Sequence, residues 1–235
     1  MSIKAVLFDL DGTLLPLDQN EFIKGYFKGL IKALLPLGID AETLKTTVWQ
    51  GTYAMIKNDG TKTNEEAFFS YFESVCKTDM GKFRALADNY YATDYKKLID
   101  ITQPTSLARE AVSLARENGR MVVLATNPLF PEVAQHTRIR FAGLDPSDFD
   151  FVTTYESDSY AKPNPKYYLS ICKRLGVMPE ECLMIGNDEA EDMHAASSVG
   201  MSCYLIDDCA LRSPDKAWTG EHGSFSELIE KLKKI

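Results

Sequence analysis

A parallel α/β sheet interrupted by an all-helical insert is the fold class that three features of this chain predict. First, short apolar runs recur at residues 5–8, 121–125, 149–153, 182–185 and 202–206. Runs of that length, apolar on both faces, suit strands buried on both sides of a sheet. Second, helical patterns separate the later runs, and strand–helix alternation implies an open sheet with right-handed crossovers. Third, between Leu15 and Gln103 helix follows helix with no strand candidate. A helical bundle therefore interrupts the sheet after its first strand.

Taken in order, the first run ends in Phe8-Asp9-Leu10-Asp11-Gly12-Thr13. Strand geometry points two carboxylates spaced by two residues to the same side. Gly12 permits a sharp exit, and Thr13 adds a hydroxyl and a backbone donor. One carboxylate can attack while its neighbour handles protons, and the pair can hold a hard cation through oxygen. Turn chemistry alone reads the same residues as a surface turn at Asp11-Gly12 capped by Asp9.

In the insert, Phe22, Tyr26, Phe27, Leu30, Ile31, Leu34 and Leu35 form one apolar stripe, stopped near Pro36 and Gly38. Leu44, Val48, Gly51 and Met55 mark a second helix, closed by Asn58-Asp59-Gly60. Thr63-Asn64-Glu65-Glu66 is a capping box for a third, whose face carries Phe68, Tyr71, Phe72 and Val75. Phe83, Leu86 and Tyr90 mark a fourth. The polar loop 57–63 is expected to reach the substrate, with Lys57 and Lys62 meeting an anionic leaving group; solvated lysines are the alternative.

Beyond the insert, a helix over 105–118 starts after Pro104 and stops at Gly119. The run 121–125 leads into Thr126-Asn127, a hydroxyl with free amides that suits phosphoryl oxygens or, more simply, an N-cap for the helix 131–141. Lys162 stands in Ser159-Tyr160-Ala161-Lys162-Pro163-Asn164-Pro165. The flanking prolines suit an ammonium fixed beside an anion, though by itself a lone lysine is most often a solvated surface charge. Asn164 and Pro165 open a helix that Gly176 ends. After the run 182–185, Gly186-Asn187-Asp188-Glu189-Ala190-Glu191-Asp192 places Asp188 on a loop and Asp192 one turn later. A cap-and-dipole role would also explain acids there. Ser224-Phe225-Ser226-Glu227 is a capping box for a last helix.

Composition narrows the classes. The 235 residues, 45% of them hydrophobic, suffice for one large domain or a domain with an insert. No stretch has the apolar length of a membrane span. Met1-Ser2-Ile3-Lys4 lacks a signal-peptide layout, and five cysteines without a CxxC pair point to reduced thiols, so a cytoplasmic protein is expected. The net charge of −8 disfavours nucleic acid and anionic membranes as partners. A monomer or homodimer is expected. His136, His194 and His222 have no metal-ligand spacing, and Asp207-Asp208 reads as solvated loop.

All four polar clusters follow strands, at the edge where open α/β sheets bind ligands. Phosphoryl transfer needs a nucleophile, a cation, donors for oxygens and a proton carrier. At these residues the chain resembles the haloacid dehalogenase superfamily of phosphohydrolases over essentially its whole length. Asp9-Leu10-Asp11-Gly12-Thr13, Thr126-Asn127, Lys162-Pro163 and Gly186-Asn187-Asp188 through Asp192 carry the likeness, in the superfamily's order. The resemblance implies a Rossmann-like open parallel sheet core at 1–15 and 104–235, and a helical cap of the first type at 16–103 that selects substrate. It implies Asp9 as a nucleophile that forms an aspartyl-phosphate and Asp11 as general acid, then base. Thr126, Asn127 and Lys162 would bind the phosphoryl group, Thr126 and Lys162 also stabilising its charge. Mg²⁺ would be held by Asp9, the Asp11 backbone carbonyl and Asp188, with Asp192 in support. An acid at Asp11 distinguishes phosphatases from the metal-free dehalogenases, so the resemblance implies hydrolysis of a phosphomonoester such as phosphoglycolate or a sugar or nucleotide phosphate. A phosphosugar mutase, or a non-catalytic module on the same fold, is the alternative.

Overall fold

The computed structural model describes residues 2–235. Strands β1 (Ala5–Phe8), β2 (Met121–Leu124), β3 (Phe151–Val152), β4 (Cys182–Gly186), β5 (Ser202–Ile206) and β6 (His222–Gly223) form one parallel sheet in the order β3-β2-β1-β4-β5-β6. The chain leaves β1 for β2 on one side and passes to β4 on the other, so β1 lies at the switch in strand order. Register makes the strand ends level: Phe8 pairs with both Leu124 and Ile185. The residues that follow β1, β2 and β4 therefore emerge side by side.

Alternation along β1 divides the core. Val6 and Phe8 face a cluster with Val122, Leu124 and Ile185, covered by α5 (Leu107–Arg116), α6 (Glu132–Phe141) and α9 (Phe225–Leu232). Ala5 and Leu7 face the other cluster, with Val123 and Met184, covered by α7 (Pro165–Leu175) and the short α8 (Ala195–Ser197). Every side chain of β1 is fully buried, which is why its run lacks polar alternation.

The insert contains α1 (Gln19–Leu34), α2 (Ala41–Ile56), α3 (Asn64–Val75) and α4 (Met80–Ala92). Phe68, Phe69, Phe72 and Phe83 pack together, the last two with ring centroids 4.6 Å apart. Its two connections to the sheet lie side by side: Leu17 bridges Thr102, and the Gln103 N–H donates to the Pro16 carbonyl at 2.8 Å. A third tie comes from the start of α3, where the Asn64 N–H donates to the Asp158 carbonyl and the Glu65 N–H to that of Tyr155, both at 2.8 Å. Among the described residues no helix is long and apolar enough to cross a membrane.

Differences from the expected elements are local. The third run shrinks to Phe151–Val152, which follows a turn at 146–148 capped by Asp145. Asp94–Ile101 forms a 3₁₀ run, and β6 has two residues; neither length carries a readable period. Leu35 leaves the stripe of α1 and is exposed, because the chain tightens there into a 3₁₀ turn ended by left-handed Gly38.

Candidate active site

Asp9 follows β1 directly, and its N–H donates to the Ile185 carbonyl at 2.9 Å, which anchors it to the sheet edge. The next residues coil tightly, with the Leu15 N–H donating to the Leu10 carbonyl at 2.8 Å. Gly12 sits at φ 85°, and a side chain there would run into the Asn187 amide, so the position requires glycine. This coil turns the Asp11 carboxyl toward the cleft above the sheet. It also brings the Thr13 hydroxyl to 3.4 Å from Asp9 Oδ2 and 3.2 Å from Asn187 Oδ1.

Lys162 is only 1% exposed. Its ammonium donates to Asp9 Oδ1 at 2.8 Å and to Asp192 Oδ1 at 2.6 Å. Burial opposes its charge, but Asp192 and Asp9 outweigh that and hold its pKa well above the usual lysine range. A buried charge is tolerated when it is both paired and hydrogen-bonded. Asp192 is similarly satisfied, its Oδ2 accepting the N–H groups of Asn187 at 3.1 Å and Asp188 at 3.0 Å. A side chain at Gly186 would occupy the place of this carboxylate.

The Thr126 carbonyl accepts from the Thr153 hydroxyl at 2.6 Å and the Tyr167 hydroxyl at 2.9 Å. That fixes the loop after β2. Asn127 links three strand ends: its Oδ1 accepts the Lys162 N–H at 3.2 Å, and its Nδ2 donates to Glu191 Oε2 at 3.0 Å. Asp188 Oδ1 accepts from the N–H groups of Ala190 and Glu191 and so caps a π-helical turn, Glu189–His194.

A cleft of about 280 Å³ opens above this edge, lined by Asp9, Asp11, Thr126, Asn127, Asp188 and Asp192 among others. The structure thus brings all the sequence-selected acids, Thr126 and Asn127 to one cleft, with Lys162 directly beneath. No three acidic, histidine or cysteine side chains among the described residues form a metal cage. The donors nonetheless suit a hard cation that keeps waters and takes substrate oxygens: Asp9 and Asp188 share the cleft, and Asp11 Oδ1 is buried without a partner. Both oxygens of Asp192 are engaged, Oδ1 by the Lys162 ammonium and Oδ2 by the N–H groups of Asn187 and Asp188.

Residues 3–200 match the family model of the haloacid dehalogenase-like hydrolases. The chain belongs to that family. It is 26% identical over 239 residues to the glyceraldehyde 3-phosphate phosphatase of Methanopyrus kandleri, covering 99% of this chain and 98% of the relative. It is 28% identical over 208 residues to the phosphoglycolate phosphatase of Nitrosospira multiformis, covering 88% and 84%. In fold it resembles a haloacid dehalogenase-superfamily phosphatase from Thermococcus onnurineus, with a TM-score of 0.60, 24% identity and 98% of each chain covered.

Two residues of this hydrolase's site escape sequence reading. Arg138 on α6, 1% exposed, donates to Asp11 Oδ2 and to Gln135 Oε1, with its guanidinium 4.2 Å from the Phe130 ring centroid. Burial pushes the Asp11 carboxyl up, and Arg138 pulls it part of the way back. Glu191 lines the cleft, and burial pushes its pKa up to about 7 against the pull of Lys162. Arg138 had one faint signal, its i+4 spacing from Ala134 on the buried face of α6.

The expectation for the loop 57–63 needs correction. Neither Lys57 nor Lys62 lines the cleft. Asn58 Nδ2 donates to the Lys62 carbonyl and to Asn64 Oδ1, both at 2.9 Å, and Asn64 Nδ2 donates to the Pro128 carbonyl at 3.2 Å. These bonds curl the loop against the flank of the core. The insert instead meets the cleft through Gln19, Phe22, Ile23, Tyr26 and Phe27 of α1 and Trp49, Thr52 and Ile56 of α2.

Proposed function

We propose that this hydrolase is a phosphatase, cleaving a small phosphomonoester in two steps with Asp9 as nucleophile, and that residues 16–103 act as its substrate-selecting cap. The observation that carries the reading is the single buried ammonium of Lys162 shared by Asp9 and Asp192, with Asp11 two residues along and lining the same cleft. Both named relatives are phosphatases, which supports it.

In the first step an Asp9 oxygen attacks phosphorus and the ester P–O bond breaks. The departing oxygen takes a proton from Asp11 and leaves as the alcohol. In the second, the Asp11 carboxylate takes a proton from water, whose oxygen attacks the aspartyl-phosphate. The bond from Asp9 to phosphorus breaks, inorganic phosphate departs and Asp9 regains its carboxylate. Burial of Asp11 favours the protonated form that the first step needs. Lys162 and the Thr126 hydroxyl would meet phosphoryl oxygens, a role for fixed donors that strengthen as charge spreads over them. Mg²⁺, held by Asp9, the Asp11 carbonyl and Asp188, would neutralise phosphoryl charge that this acidic cleft otherwise repels.

The test is release of inorganic phosphate from p-nitrophenyl phosphate with Mg²⁺, with excess chelator, and in Asp9→Asn. Turnover should fall by several orders of magnitude both in the variant and without the ion. Full activity in Asp9→Asn would refute the nucleophile, and full activity in chelator the metal.

A further inference from the structure

The cleft has two unlike walls. On the sheet side five carboxyl groups line it: Asp9, Asp11, Asp188, Glu191 and Asp192. The opposite wall is apolar, built of Phe22, Ile23 and Phe27 from α1, Trp49 and Ile56 from α2, and Phe130. Phe27 and Trp49 lie with ring centroids 5.7 Å apart at 51°. Trp49 is 51% exposed and Ile23 38%, so much of this apolar surface remains uncovered.

Cations are scarce there. Among the described residues no lysine lines the cleft, and its one arginine, Arg138, is committed to Asp11. Lys162 beneath it pairs with Asp9 and Asp192, and what it has left to donate goes to the phosphoryl group rather than to the leaving group. A leaving group with a carboxylate or second phosphate would therefore place an unpaired anion between apolar side chains and acids, the costliest form of burial. A flat apolar group would instead cover Trp49 and Ile23 and face the ring of Phe27.

Resting on the phosphatase reading, we infer that the alcohol released is apolar and ring-bearing and carries no second anionic group. That separates this chain from the relative named for phosphoglycolate, whose leaving group carries a carboxylate. Gln19 and Thr52 supply polar cap contacts beside Tyr26, whose hydroxyl is paired with Tyr91, enough for one hydroxyl or carbonyl on the ring.

Benzyl phosphate and phosphoglycolate make a fair pair for the test, because both release poor alkoxides and differ chiefly in ring against carboxylate. With Mg²⁺, kcat/KM should favour benzyl phosphate by about tenfold or more, the scale on which apolar pockets discriminate. Trp49→Ala should lower that ratio severalfold, and Trp49→Phe should restore it. A half-exposed side chain makes misfolding of these variants a minor concern. Binding is read separately in Trp218→Phe, which leaves Trp49 as the single tryptophan: benzylphosphonate should change its fluorescence saturably. Equal or better use of phosphoglycolate, or a Trp49→Ala loss equal on both esters, overturns the inference and leaves the phosphatase intact. No phosphate release from either ester or from p-nitrophenyl phosphate overturns both.

Discussion

Asp11 has two demands on one carboxyl group, and they pull apart. Arg138 favours its ionised form, while donation to a leaving group needs the proton. If Asp11 protonates the departing oxygen, its loss matters most where that oxygen is a poor leaving group. Asp11→Asn should cost alkyl phosphates about a hundredfold or more in kcat, and p-nitrophenyl phosphate far less. Equal losses would reduce Asp11 to shaping the cleft. Arg138→Met should cost about 1–3 kcal/mol, because it leaves the part-buried Asp11 carboxyl and Gln135 Oε1 without their donor. Adding Asp11→Asn should recover part of that in urea unfolding, and a purely additive double variant would deny the coupling. The acids were legible in sequence because they stand at strand ends, where spacing of two or four residues suffices to share a site. Arg138 was not, since only packing shows that it faces inward while Arg140, two residues on, faces solvent. Lys162 lay between: its prolines hinted at fixity, but burial came from elements far along the chain.

Elements were readable where local chemistry decides them. Thr63 accepts the Glu66 N–H at 3.2 Å while Glu66 Oε2 accepts the Thr63 N–H at 2.8 Å, and Ser224 with Glu227 repeats the pattern. Both boxes are visible as four residues of sequence. The docking of α3 is not, because it rests on Asn64, whose partners Asn58, Pro128 and Asp158 come from three segments. Asn64 is fully buried, so Asn64→Ala leaves one Asn58 amide N–H and the Pro128 carbonyl without their partner as well as removing its own bonds. The expected cost is about 1–3 kcal/mol, above the roughly 1 kcal/mol for Thr63→Ala, which loses only a cap. Urea midpoints compare the two. An Asn64→Ala variant no less stable than Thr63→Ala would show that the cap does not lean on this junction.

At the scale of the whole molecule, buried phenols run through both the insert and the core. Tyr26, Tyr90, Tyr91 and Tyr95 cluster in the insert, where the Tyr26 and Tyr91 hydroxyls lie 3.0 Å apart. In the core, Tyr167 holds the Thr126 carbonyl and Tyr168 the Glu191 carbonyl. Burial raises all six, Tyr26 to about 12 and the others further or as strongly in direction. An unfolded tyrosine titrates near 10. Above that pH the unfolded chain has released these protons and the folded one has kept them, so stability falls as pH rises. Each such group contributes up to about 1.4 kcal/mol per pH unit, and six together on the order of 8. A domain stable by 5–15 kcal/mol cannot survive much of that slope. The expected outcome is one cooperative alkaline transition between roughly pH 10.5 and 12, followed by circular dichroism, with most phenolate absorbance appearing in the same step. Because insert and core are tied at Leu17–Thr102, at Gln103–Pro16 and at the start of α3, the two should unfold as one unit. Two separated dichroism steps would show that insert and core are independent, and gradual phenolate absorbance with the helices intact would show that water reaches these rings in the folded protein.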